Sequence, residues 1–221
     1  LWFASGWRRL PGVQLTASHN PAIYNGIKFC LADARPVPPD FMERLRDRAA
    51  DVVIGDDVRG GYRTLDALAA YADRLGELVP QRGDRGLTVV VDAGNGMAGH
   101  TARTALAGRS LELIGLYLDL DGTFPNHPAN PLEPENLVDA QRAVREHGAD
   151  LALVFDGDAD RCFIIDETGA VVDPSVVTVL TRIQNDLFDV GADFSTPVVE
   201  NPEYPPLRIE QSYIDRLEAL C

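Results

Sequence analysis

The sequence is almost without lysine. Of its 20 basic side chains only Lys28 is a lysine, and the others are arginine. Chemistry that needs a primary amine therefore falls to Lys28. Basic charge is scarce altogether, because 34 acidic side chains leave a formal net charge of −14. A nucleic-acid binder shows a basic footprint, and an anionic membrane surface repels such a chain. Neither partner is expected. No apolar stretch approaches the ~18 residues of a membrane-spanning helix. Cysteine is rare, with Cys30, Cys162 and Cys221 far apart and no Cys-x-x-Cys pair. That argues against a zinc site or a redox motif and points to reduced thiols in a cytoplasmic protein. An initiator methionine is missing, and Arg8 and Arg9 follow the apolar N-terminal run, where a secretory signal would put them before it. The chain is expected to begin inside a longer protein.

What is present is ordinary globular material: 221 residues, 45% hydrophobic and 24% charged, enough for one large domain or two small ones. Val13 to Thr16 and Gly26 to Leu31 read as strands around a polar loop. Pro36, Pro38 and Pro39 break the chain. Asp40 is placed to cap a helix running to Ala50, and Thr64 to Val79 carries Leu65, Leu68, Ala72 and Leu75 at helical spacing. The polar, glycine-containing segment from Pro80 to Gly86 marks a domain boundary.

Beyond it, strands and helices alternate. Leu87–Val91, Leu111–Leu118, Leu151–Phe155 and Cys162–Ile165 read as strands, with helices after Gly96, over Leu137–His147 and over Asp173–Phe188. That order predicts an α/β fold with a mixed or mostly parallel sheet and flanking helices. Residues 1–80 and 81–180 form two domains on this reading. Residues 181–221, proline-rich and then helical over Gln211–Leu220, are left as an unassigned tail.

The sharpest chemical signal is Asp156-Gly157-Asp158-Ala159-Asp160-Arg161, placed directly after an apolar strand. Alternation in a tight loop turns three carboxylates toward one point, where they repel one another and raise each other's pKa. A hard divalent cation with oxygen ligands relieves this, and the carboxyl end of a strand is where α/β sheets place their sites. Two other motifs compete for the loop. An EF-hand matches Asp156, Asp158, Asp160 and Glu167, but it needs glycine where Arg161 stands. A haloacid-dehalogenase-like phosphatase would use Asp156 as nucleophile, but such enzymes use a lysine further along the chain, and none follows Lys28.

A second string, Thr16-Ala17-Ser18-His19-Asn20-Pro21 with Asn25-Gly26-Ile27-Lys28, joins a hydroxyl to residue types suited to general acid–base work. The turn Asp92-Ala93-Gly94-Asn95-Gly96 is not Gly-x-Gly-x-x-Gly and lacks a P-loop lysine; it reads as a tight structural turn. His100, His127 and His147 show no metal-ligand spacing and read as surface or helix-end residues, and Cys162 reads as core.

Taken together, the Thr16–Pro21 and Asn25–Lys28 strings resemble the phosphoserine loop of the α-D-phosphohexomutases, the family of phosphomannomutase and phosphoglucomutase. Asp156–Arg161 resembles that family's metal-binding loop. Val91–Gly99 and Asn130–Leu137 resemble segments of its second domain, and the likeness covers about residues 11–180. It implies an isomerase of carbohydrate metabolism that moves a phosphoryl group between the 1- and 6-positions of a hexose phosphate. Ser18 would carry the phosphate. One Mg²⁺ would be held by phosphorylated Ser18, Asp156, Asp158 and Asp160, and a hexose 1,6-bisphosphate would serve as primer and intermediate. His19 and Lys28 would assist proton transfer and hold phosphate oxygens, and Arg161 would face phosphate or substrate as a further catalytic and binding residue.

The likeness also has gaps. The family's Glu-x-Ser-Gly-His sugar-recognition string and its Arg-x-Ser-Gly-Thr phosphate loop are missing here. A non-catalytic remnant that binds Mg²⁺ is therefore the alternative, and neither the hexose preferred nor the oligomeric state is legible.

Overall fold

The computed structural model describes residues 1–52, 60–81 and 85–173. The helices expected over 173–188 and 211–220, and Cys221, lie outside the described residues save Asp173.

The fold is organised by β3 (Leu87–Asp92). Its run Leu-Thr-Val-Val-Val is apolar on both faces, which suits a strand covered on both sides. β3 is accordingly central in a four-stranded sheet of order β4-β3-β5-β6. It pairs in parallel with β4 (Leu111–Leu116) and β5 (Leu151–Phe155). β6 (Cys162–Asp166) pairs antiparallel to β5, from Phe155 opposite Cys162 to Leu151 opposite Asp166. The sheet is thus mixed, with its parallel part at the centre.

The alternation along β3 sorts its side chains between two helices. Val90 faces α5 (Val138–His147), packing with Ala140, Val144, Val154 and Ile165. Val89 and Val91 face the opposite side, where Ala102 of α4 (Ala98–Ala105) covers them. Gly148, left-handed at φ 60°, ends α5 and returns its N–H to Val144 O, as a C-terminal glycine does.

The N-terminal part is smaller. α1 (Trp2–Arg8), which the sequence reading did not anticipate, precedes β1 (Gly12–Leu15) and β2 (Ile27–Cys30), an antiparallel pair with Leu15 opposite Ile27. Buried Ser5 ties α1 to the segments that flank this pair: its Oγ donates to Leu10 O at 2.6 Å and accepts from Ala34 N–H at 3.1 Å. α2 (Phe41–Asp51) rests Phe41 on Phe29. Asp40 makes no side-chain cap there and instead pairs with Arg44 at 3.3 Å. α3 (Leu68–Leu78) begins four residues later than the periodicity suggested, where Asp66 Oδ1 accepts from Leu68 N–H. A ring contact between Phe3 and Tyr71 joins α1 to α3. Cys162, expected in the core, is exposed.

Candidate active site

Two loops meet at the carboxyl ends of the parallel strands. The first connects β1 to β2. It is closed at its base by the Thr16 N–H bonded to Gly26 O at 2.9 Å. Inside it, Asn20 donates to Ala17 O from both backbone and side chain, at 3.1 and 3.0 Å. Ser18 sits in the left-handed region at φ 55°. A non-glycine residue there costs about 1–2 kcal/mol and is held by its surroundings: Ser18 N–H donates to Thr16 Oγ1 at 2.8 Å.

The second loop connects β5 to β6, and antiparallel pairing brings its ends together. Asp156 N–H donates to Arg161 O at 3.2 Å. Fully buried Asp156 fills the loop from within, its Oδ1 accepting from the Asp160 and Arg161 amides at 3.1 and 3.2 Å.

Glycine lets the loops touch. A Cβ on Gly157 would lie 2.4 Å from Ser18 O, and one on Gly96 would lie 2.7 Å from Gly157 O. Met97 N–H donates to that same carbonyl at 3.0 Å. Gly157→Ala is expected to cost about 1–3 kcal/mol through overpacking and to part the serine loop from the acidic loop. Thermal unfolding checks this; an unchanged Tm would mean that the loops are not in contact.

Every site residue singled out in the sequence lies at this junction. Ser18 Oγ donates to Asp156 Oδ2 at 2.9 Å and accepts from Arg161 Nη2 at 2.6 Å. Arg161 also reaches Asp156 Oδ2, from Nε at 3.0 Å and Nη2 at 2.6 Å, and touches Nδ1 of His19. Lys28 Nζ, on β2, lies 2.7 Å from Asp158 Oδ2 and 2.5 Å from Asp160 Oδ2. Burial works against charge on Lys28 and on Asp158. The surrounding hydrogen bonds and opposite charges together outweigh it, from Asp158 and Asp160 for Lys28 and from Lys28, Thr16 and Ser18 for Asp158, so the Lys28 pKa is raised and the Asp158 pKa lowered. Both stay ionised near neutral pH.

Thr16 and Gln14 were not singled out as partners of the acidic loop. Thr16 Oγ1 donates to Asp158 Oδ2 at 2.9 Å, and Gln14 Nε2 approaches it at 3.4 Å. The signal was there: residues two apart on a strand share a face, and these two lie on the face that carries Lys28 opposite Gln14.

Asp156, Asp158 and Asp160 each offer an oxygen, and these lie within 4.8 Å of one another. Among the described residues, Asp158 Oδ1 is the one buried side-chain polar atom without a hydrogen-bond partner. A buried carboxylate oxygen left bare costs several kcal/mol, about 1–3 or more. A hard cation with oxygen ligands would satisfy it, so the residues present fit such an ion. The flanks of the loop are strands, which excludes an EF-hand. A cavity of about 470 Å³ opens beside Ser18, lined by Thr16, Tyr24, Met97, Phe124 and Gly157 among others. That is within the usual range for a small-molecule site.

Comparison with known proteins bears on this geometry. The model of phosphoglucomutase/phosphomannomutase α/β/α domain I matches residues 7–53, and that of domain II matches residues 69–169. A phosphomannomutase of Salmonella montevideo is 40% identical over 171 residues, covering 73% of this chain and 38% of the relative. A Xanthomonas campestris protein named for phosphohexose mutases is 38% identical over 164 residues, covering 73% and 37%. The crystal structure of a phosphoglucomutase/phosphomannomutase family protein from Burkholderia thailandensis superposes with a TM-score of 0.66 at 32% identity, covering 78% of this chain and 38% of that one. The chain thus spans less than half the length of these relatives. A model of cobalamin adenosyltransferase matches residues 149–221. Its first part overlaps β5, the acidic loop and β6, which the domain II match also contains; residues from 174 onward lie outside the described residues.

Proposed function

The chain belongs to the phosphoglucomutase/phosphomannomutase family, and on that premise we propose that it moves a phosphoryl group between Ser18 and a hydroxyl of a hexose phosphate. The observation that carries this reading is the placement of Ser18 Oγ, 2.9 Å from buried Asp156 in a loop of three converging carboxylates. We assign residues 1–80 to a partial first domain carrying the serine and residues 81–180 to a second domain carrying the acidic loop, in a cytoplasmic enzyme.

A phosphate on Ser18 brings about −1.5 to −2 charges into contact with three carboxylates. Mg²⁺, held by Asp156, Asp158, Asp160 and a phosphate oxygen, would neutralise part of that charge and polarise the phosphoryl group. Arg161 already touches Ser18 Oγ, and its planar fork suits phosphate oxygens. His19, against Arg161, is positioned to exchange a proton with an incoming or departing hydroxyl. Lys28 holds Asp158 and Asp160 in place and supplies a second cation at the mouth of the site. A hexose 1,6-bisphosphate would prime the reaction by phosphorylating Ser18, and the same bisphosphate would form again in each turnover. Phosphoryl transfer asks mainly for positioning and charge stabilisation, and this junction offers both.

A coupled assay tests the reading, with mannose 1-phosphate and glucose 1-phosphate, Mg²⁺ and a hexose bisphosphate primer. Turnover on either sugar supports it; absence of both turnover and serine phosphorylation in the folded chain contradicts it. Lys28→Ala should slow single-turnover transfer by about 10²-fold or more and leave the fold intact, since Lys28 is partly exposed. An unaltered single-turnover rate would remove Lys28 from the chemistry.

A further inference from the structure

Asp92 and His127 form a buried pair of titratable groups that the phosphoryl chemistry leaves unused. Asp92, at the end of β3, is fully buried, and the His127 side chain is 10% exposed. His127 Nε2 lies 3.2 and 3.3 Å from the two Asp92 oxygens, and Nδ1 lies 2.9 Å from Pro128 O. A carboxylate and a carbonyl are both acceptors. A neutral imidazole has only one N–H, so it would turn a lone pair toward one of them. Only the imidazolium satisfies both. The other groups that face His127 agree with this. Tyr117 meets the ring edge-on at 5.4 Å, and its hydroxyl donates to Asp139 at 2.6 Å. Asp139, on α5, adds negative charge and pairs with Arg142. The hydrogen bond to Asp92 raises the His127 pKa, against the opposing effect of burial.

The pair is connected to the acidic loop without touching its carboxylates. Asp92 Oδ1 also accepts the Gly94 amide at 2.9 Å. Gly94 lies at φ 49°, and a Cβ there would approach His127 Cε1 to 3.1 Å. Asn126, next to His127, donates to Asn95 Oδ1 at 2.8 Å. The same turn ends at Gly96, which packs closely against the Gly157 carbonyl, and at Met97, whose N–H donates to it. A chain of direct contacts therefore runs from His127 through Asp92–Met97 to the loop of Asp156, Asp158 and Asp160.

We propose that His127, held as an imidazolium between Asp92 and the Pro128 carbonyl, is a positioning residue that locks the Asp92–Met97 turn and so sets the acidic loop's affinity for a divalent cation. The last part rests on the reading of that loop as a Mg²⁺ site. The lock has a definite sign. Because the folded-state pKa is raised, its stabilisation is complete below the unfolded pKa of about 6.5 and is lost as pH rises through the folded value.

The test uses the whole 221-residue chain, labelled with ¹⁵N. Long-range proton–nitrogen spectra at about pH 7 should show both His127 nitrogens protonated, above the ordinary titration point. In the metal-free protein, His127→Gln should speed amide exchange at Met97 and Arg161 about tenfold while Val90 and Ile165 stay protected. Mg²⁺ affinity by calorimetry should weaken about tenfold, as when a partner that orients metal ligands is lost. In the wild type, protection at Met97, corrected for intrinsic exchange, should fall as His127 deprotonates; this holds even if the variant does not fold. A neutral His127 at neutral pH, or a Met97 amide indifferent to its charge, overturns the proposal. If the wild type binds no Mg²⁺ at all, the reading of the loop as a metal site fails, and the exchange data still decide the lock.

Discussion

Ser18→Ala should abolish phosphoryl uptake and lower transfer to hexose phosphate by about 10³-fold or more, because it removes the oxygen that accepts the phosphoryl group beside Asp156. The fold should survive. Alanine at φ 55° is about as strained as serine, and the deleted hydroxyl frees Asp156 and Arg161 to keep the bonds they already make to each other at 2.6 and 3.0 Å. A stability change within about 1 kcal/mol is expected. The comparison is a single-turnover assay with labelled hexose bisphosphate beside a thermal melt. A variant that melts like the wild type but still takes up phosphate would place the acceptor elsewhere, with Asp156 the first candidate, as in a dehalogenase-type phosphatase.

The second large effect concerns Asp158→Asn. This change preserves shape and removes one anionic ligand from a cluster whose oxygens lie within 4.8 Å. It also weakens the hold on Lys28, whose one remaining anionic partner of the two would be half-exposed Asp160. Mg²⁺ affinity should fall tenfold or more, about 1.4 kcal/mol per factor of ten. Calorimetry on the folded variant reads it, and an unchanged Kd would remove the metal-site assignment. Apart from metal, Asp158 is ionised in the fold with a lowered pKa. Its contribution to stability is present above the unfolded carboxylate pKa and lost as pH falls through the folded one.

How far the sequence reveals this site differs from residue to residue. The acidic loop is legible because three carboxylates alternate within five positions, and few structural roles ask for that. Ser18, His19 and Lys28 are weak signals singly and become legible only as one string beside the acidic loop. The strand Leu87–Val91 is legible because it is a continuous, mostly β-branched run without a charged residue, and a central parallel strand asks for just that. Periodicity could not show the direction of β6: its apolar character is the same in either orientation, and the antiparallel return follows from the short 156–161 connection. α1 escaped because seven residues are too few for a periodic pattern. By sequence His127 looks like a surface residue, because its partner Asp92 stands 35 positions away and only the fold brings them together. Asp40 has the residue type of a cap, but its carboxylate goes to Arg44.

On the proposed reading, Ser18 and the loop of Asp156, Asp158 and Asp160 form one phosphoryl-transfer centre. The most direct measurement is mass spectrometry of the whole chain after incubation with a hexose 1,6-bisphosphate, with and without Mg²⁺, followed by peptide mapping. A single phosphate is expected, on Ser18, that appears only with Mg²⁺ and returns to hexose phosphate when that sugar is added. An acid-labile phosphate on Asp156, or a folded chain that takes up none, would contradict it.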